Sequence, residues 1–201
     1  MYSNTMPAKG DHDARRQDVS AAVWEVLAAK GFGGLTMRAV AAQMGASTGL
    51  VTHYFPSKQA LIRHALSLAH AHTDTRDRLP ISGTGLQALR SALLDVMPMT
   101  PAAVAMSRVW VSFWDAALAD EELSEAERWR YDRWRGMLRP HIVDAVAKGE
   151  LPAQTNVDDA VATAAAFAHG LVVQALFDPA AFPPSRLTTM VDAYIGTLSE
   201  R

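Results

Sequence analysis

Apolar positions along this 201-residue chain recur mostly three and four apart, and no segment sustains the strict alternation of a half-buried strand. Over residues 13–30, Val19, Ala22, Val23, Val26 and Leu27 fall on one helical face, and Gly31 with Gly33 and Gly34 stops that helix. Thr36 is placed to cap a second, short helix over 37–44 whose buried side is Val40, Ala41 and Met44. Gly45 breaks it, and a third short helix over 47–54 is ended by Pro56. A long fourth helix starts at Lys58, carries Leu61, Ile62, Ala65, Leu66 and Ala69 inward, and gives way to the charged stretch 74–78 and Pro80. The fifth covers 85–97. The sixth covers 101–119, with Thr100 as cap and Pro101 in its first turn. The seventh covers 121–148, with a bend expected at Pro140 and a stop at Gly149. The eighth runs from its cap Asn156 to the Asp178–Pro179 pair, and the ninth covers 185–198.

The pattern predicts an all-α protein of about nine helices in three parts. These are a flexible arm over 1–12, a three-helix DNA-binding head over 13–60, and a ligand-binding and dimerisation body over 61–201. The head is inferred from the second and third helices. Two short helices meeting steeply need a small residue at their contact, a free-turning residue between them and an apolar anchor on the second. Ala41, Gly45 and Val51 supply these at offsets of four and six. The third helix then presents Ser47, Thr48, Thr52, His53 and Tyr54, small polar groups that can reach base edges or phosphate oxygens. A plain helical hairpin inside an all-α core is the competing reading.

Charge sharpens the choice. The net charge is −2, but residues 1–64 carry seven Lys/Arg against four Asp/Glu, a balance of +3, and the remainder balances at −5. A basic head on an acidic body fits one region meeting phosphate while the other does not. The chain has no cysteine, which excludes disulfides and thiolate metal sites. Residues 1–18 lack the apolar core of a signal peptide. The longest apolar run, 160–177, is broken by Thr163, His169, Gly170 and Gln174, so a soluble cytoplasmic protein without a membrane span is expected.

Enzymatic chemistry finds little support. Gly45 to Gly49 matches the G-x-S-x-G pattern of serine hydrolases, but that motif needs a strand before the serine, and a helix stands there instead. His64, His70 and His72 lie on the fourth helix with no pair three or four apart. They are therefore read as exposed or hinge histidines, and no metal site is expected.

In the body, Trp110, Phe113, Trp114 and Ala117 recur at helical spacing on the sixth helix, as do Tyr131, Trp134 and Leu138 on the seventh. They either form the ridge on which these two helices pack or line a cavity together with Met97, Met106, Phe167 and His169. An aromatic box with a carboxylate such as Asp115 would suit an amine or quaternary ammonium compound. The last two helices are apolar on more than one side, through Val161, Ala165, Ala168, Val172, Ala175 and Leu176, then Leu187, Val191, Tyr194, Ile195 and Leu198. A second copy pairing through them is an economical cover, with ordinary core packing accounting for part of the set.

The head resembles that of the TetR family of bacterial regulators. The similarity rests on Thr36-Met37-Arg38, Ser47-Thr48-Gly49, His53-Tyr54-Phe55 and Ser57-Lys58, and it covers residues 15–65. Trp110 to Trp114 and the Tyr131–Trp134 pair are similar to the BetI-type branch of that family. The resemblance implies a homodimer on a near-palindromic double-stranded operator, usually repressing and released by a small-molecule effector, with no cofactor. It implies Thr36, Arg38, Ser47, Thr48, Gly49, Thr52, His53, Tyr54 and Lys58 at the DNA. Thr36, Tyr54 and Lys58 would meet phosphates, with Thr48, Gly49, Thr52 and His53 nearer the bases. Lys9, Arg15 and Arg16 either form an arm on the backbone or in the minor groove, or belong to a disordered tail without a role. BetI-like bodies often carry an acidic residue before a Gly-Leu pair of the eighth helix, whereas this chain has His169-Gly170-Leu171. That departure leaves a neutral or anionic aromatic effector as compatible as a cation. The alternatives to a regulator are a small-molecule carrier with a vestigial head, or an enzyme carrying a helix-turn-helix.

Overall fold

The computed structural model describes residues 9–199, with side chains from Ala14 onward. Among the described residues there are nine helices and no strand. They are α1 (Lys9–Lys30), α2 (Met37–Gln43), α3 (Thr48–Tyr54), α4 (Lys58–Thr75), α5 (Gly85–Asp95), α6 (Pro101–Leu118), α7 (Glu121–Ala147), α8 (Val157–Phe177) and α9 (Pro184–Ser199). The all-α expectation holds. Residues 1–8 of the expected arm lie outside the described residues, and 9–12 already belong to α1, so Arg15 and Arg16 stand exposed on a helix.

Side-chain caps explain where the helices begin. Each accepts from a backbone N–H that the first turn cannot pair internally. Thr36 Oγ1 accepts from Ala39 N at 3.1 Å, Ser47 Oγ from Leu50 N at 3.4 Å and Ser57 Oγ from Ala60 N at 3.1 Å. Thr100, Asp120 and Asn156 serve α6, α7 and α8 in the same way. Ser47 thus caps α3 from outside the helix. α7 continues through Pro140 as one 27-residue helix, the proline and Gly136 four residues before it both standing at the exposed surface.

The chain forms two compact units. The first comprises the residues through Arg76 together with Arg108–Ala116 of α6; the second comprises Asp77–Ser107 and Ala117–Arg201. In the first, α1 packs on α2 and α4 while α2 packs on α3. Its core holds Val23, Leu27, Val40, Val51, Leu61 and Ala65, none more than 0% exposed. Phe113, contributed by the α6 segment, is equally buried there, its ring 4.8 Å from that of Phe32. Ser112 Oγ accepts from Phe32 N at 3.0 Å and donates to Val109 O at 2.7 Å.

In the second unit α7 packs on α5 and α8, and α5 on α9. Leu89, Leu93, Leu138, Ile142, Ala164, Ala168, Leu187 and Val191 build its core. The first N–H groups of α5 are satisfied from a distance: Gly85 N donates to Asp144 Oδ2 and Leu86 N to Glu150 Oε2, both at 2.7 Å. α8 corrects one expectation, for by length and apolarity it could cross a membrane despite its four polar or glycine interruptions. Its Val161, Ala165, Ala168, Leu171 and Val172 are instead buried within the second unit. Most apolar residues expected at an interface between copies are therefore core. The face that α8 leaves open carries Ala162, Ala166, Gly170 and Phe177, the last 81% exposed.

Candidate nucleic-acid interface and ligand cluster

The short helices α2 and α3 are joined by a turn that only a few backbone conformations allow. Gly45 sits at φ +61°, in the left-handed region that side-chain-bearing residues resist, and Ala46 N closes the turn onto Ala41 O at 2.9 Å. Ala41 and Val51 are buried on the inner side of the pair. The other side is open. Thr36, Arg38, Ser47, Thr48, Gly49, Thr52, His53 and Lys58 are exposed, and Tyr54 is half-buried with its ring edge-on to His53 at 5.4 Å. Thr52 Oγ1 donates to Gly49 O at 3.0 Å, which holds its methyl and hydroxyl in a defined direction. The nine residues expected at a nucleic acid lie on α2, α3, their N-caps and the start of α4, and eight of them are exposed. Such a surface supplies hydroxyls, an imidazole and two cations, and no carboxylate from these positions.

Behind α3, His64 of α4 lies 5.0 Å ring to ring from Phe55 and within 2.9 Å of Ser20 Oγ. Burial, with repulsion from Arg16 added, lowers this imidazole below its ordinary value. His70 lies 5.1 Å from the Trp110 ring, and His72 stacks on Trp24 at 3.6 Å. All three histidines therefore pack against aromatic rings or α1 within the first unit. Of the three, only His72 is exposed, which revises their reading as exposed or hinge residues.

The eight expected ligand residues are distributed over both compact units. Trp110, Phe113 and Trp114 belong to the first unit, where Trp110 Nε1 donates to Thr73 Oγ1 at 3.0 Å. Met97, Met106, Trp134, Phe167 and His169 belong to the second, Met97 being buried and Met106 half-buried. There Phe167 stacks on Tyr194 of α9 at 4.2 Å, while His169 meets Trp134 at 4.7 Å and Tyr131 edge-on at 4.9 Å. Asp115, the carboxylate considered for a cationic ligand, is exposed in the α6 segment of the first unit.

Charged neighbours surround the Tyr131–Trp134–His169 cluster. The Arg130 guanidinium lies 4.8 Å from the Tyr131 ring centroid and that of Arg135 6.0 Å. Glu127, buried, accepts from Arg130 Nε at 2.9 Å and Nη2 at 2.5 Å. Burial first, then Arg130 and Arg135, push the His169 imidazole down to about 4, so it is neutral at ordinary pH. Periodicity had drawn attention to the rings but not to these charges. The i,i+3 spacing of Glu127 and Arg130 was the available sign. The helix-starting role of Ser57 was likewise visible as a serine three residues ahead of a helical run, whereas the contact of Ser112 with Phe32 had no local signature.

Residues 20–65 match the family model of bacterial regulatory proteins, tetR family, and residues 86–200 match that of the BetI-type transcriptional repressor C-terminal region. Among curated relatives, the HTH-type transcriptional regulator PksA of Bacillus subtilis (strain 168) is 24% identical over 200 residues, spanning 96% of this chain and 94% of PksA. Among solved structures, a putative transcriptional regulator from Saccharomonospora viridis, in complex with choline, aligns with a TM-score of 0.74 at 18% identity, covering 92% of this chain and 96% of that one. The TetR family regulator CifR, complexed with 26bp double-strand operator DNA, aligns with a TM-score of 0.61 at 22% identity, covering 92% and 96%.

Proposed function

Because this chain belongs to the TetR family of bacterial transcriptional regulators, with a BetI-type repressor C-terminal region, we propose that it is a cytoplasmic, effector-released repressor without enzymatic activity. It binds a near-palindromic operator as a homodimer. The observation that carries the reading is the α2–α3 pair. Its buried side is closed by Ala41 and Val51, and its open side presents Thr48, Gly49, Thr52 and His53 from a helix whose start is set by Ser47.

In this reading α3 enters the major groove and those four residues lie nearest the base edges. Thr36, Tyr54 and Lys58 meet phosphates on either side, with Arg38 and Ser47 completing the surface. The head is 13–60, preceded by the arm 1–12, and 61–201 senses the effector and pairs with a second copy through α8 and α9. The open α8 face of Ala162, Ala166 and Gly170 allows a close approach of two helices, and Phe177 gains cover from it. Two heads must match the helical repeat of about 34–36 Å, so a ligand that prefers a dimer with another head spacing empties the operator.

The test is binding of the purified protein to the DNA flanking its own gene, at two salt concentrations. The expected result is saturable, salt-sensitive binding with a two-protomer footprint. Binding no tighter than to random DNA, both there and in a selection from random sequences, would overturn the reading.

A further inference from the structure

The polar surroundings of the Tyr131–Trp134–His169 cluster decide between the ligand classes that the sequence leaves open. A quaternary ammonium ligand needs an aromatic face turned toward it and no competing cation in front of that face. Here the Tyr131 ring already lies 4.8 Å from the Arg130 guanidinium and 6.0 Å from that of Arg135. A cationic ligand would have to share the Tyr131 ring with guanidinium groups already placed against it. Glu127, the nearest carboxylate, is matched by the Arg130 guanidinium through two hydrogen bonds and leaves no unpaired negative charge for a cationic ligand.

The same residues suit an anion. Arg135 pairs with Asp132 at 2.5 Å, but the two side chains are 39% and 66% exposed. An exposed pair of this kind is weak and readily exchanged for a better-placed carboxylate. A planar guanidinium can bind that carboxylate through two parallel N–H groups. Burial is the main cause of the lowered His169 pKa, and the guanidinium groups of Arg130 and Arg135 add to it, as they would favour a carboxylate placed beside them.

We infer that Tyr131, Trp134 and His169 receive the apolar body of the effector while Arg135 receives its carboxylate, so that this regulator senses a small aromatic carboxylic acid. Arg130, tied to Glu127, keeps cations off the Tyr131 face. The inference rests on the effector-released reading above, because it names the ligand class of that same body.

The full-length protein is titrated with benzoate, phenylacetate and indole-3-acetate, with their neutral amides, and with choline, following tryptophan fluorescence and release from an operator fragment. At least one carboxylate is expected to bind saturably and release DNA. Its amide should bind at least about tenfold more weakly, the worth of one charge-assisted hydrogen bond, and choline should do neither. Arg135→Gln should abolish the preference of acid over amide. Arg139→Gln, the same charge change at an exposed residue of the same helix paired with Asp158, should retain it. Choline binding more tightly than every carboxylate, no carboxylate binding at millimolar concentration, carboxylate binding without release of DNA, or an unchanged acid preference in Arg135→Gln would each overturn the inference. Operator binding by the ligand-free protein is scored separately, so failure of the ligand class leaves the regulator reading standing, and failure of DNA binding is seen before any ligand is added.

Discussion

The two compact units place their distinctive side chains in opposite ways. In the first, most residues assigned to DNA are exposed on or beside two seven-residue helices and the start of α4, and the core behind them is mainly aliphatic. In the second, the distinctive side chains lie largely inside: His169 between rings of α7, and Glu127 under Arg130. Under the proposed function the difference follows from the partners. A DNA duplex offers the same groove to every reader, so its recognition surface can be assembled from neighbours in sequence on a short, well-capped scaffold. A small molecule must be enclosed, and enclosure requires side chains from different helices with their charges arranged around it.

The comparison breaks most readily at Phe113, which belongs by sequence to the body but lies in the core of the first unit. Phe113→Ala should destabilise the chain by about 3–5 kcal/mol and lower Tm by roughly 10 °C. A Tm within about 2 °C of the parent would mean that the α6 segment does not belong to that core.

Next in size is the half-buried imidazole of the second unit. His169 is pushed down to about 4 in the folded chain from an ordinary 6.5, so between those values the unfolded chain binds more protons than the folded one. Stability is therefore full above about pH 6.5 and is lost as pH falls toward about 4, by about 2–3 kcal/mol from this group. His64 and His141 are shifted in the same direction and add to the slope. Denaturant titrations across this range should show a shallower pH dependence for His169→Phe than for the parent, and identical slopes would remove the contrast drawn for the second unit.

The exposed surface of the first unit calls for a different readout. Tyr54→Ala with Lys58→Ala should weaken operator binding about uniformly across sequences. It should also reduce the salt slope by about one for the lost lysine. A change confined to one operator position would move these residues from phosphate to base contact.

The smallest effect separates shape from hydrogen bonding at Ser112. Gly31, at φ +64°, leaves the space that Ser112 fills, since a Cβ there would lie 2.6 Å from both Cβ and Oγ of the serine. Ser112→Thr keeps an oxygen for the Phe32 N–H, whereas the equally shaped Ser112→Val leaves it unpaired. Valine should be less stable than threonine by about 1–2 kcal/mol, measured by denaturant titration. Equal stabilities would show that packing alone holds the segment.

What could be read from sequence follows this division. The helix starts at Thr36, Thr100 and Asn156, the left-handed turn at Gly45 and the inward Ala41 and Val51 are set by interactions within a few residues, and the pattern exposed them. The aromatic residues of α6 and α7 had the same helical spacing, yet Trp110 and Phe113 meet His70 and Phe32, while Tyr131 and Trp134 meet His169. Periodicity says which face of a helix is buried and nothing about what buries it.

The sequence by itself determined the all-α composition, the order of the helices, the helix-turn-helix and its family, because capping, turning and amphipathic spacing act over three to seven residues. Only the tertiary structure decided that part of α6 completes the first unit. It also decided that most of the apolar surplus on α8 is core, and that His169 sits among rings edged by arginines. Those outcomes depend on residues tens of positions apart meeting through close packing, and neither the partner nor the local electric field is encoded in any one stretch of chain.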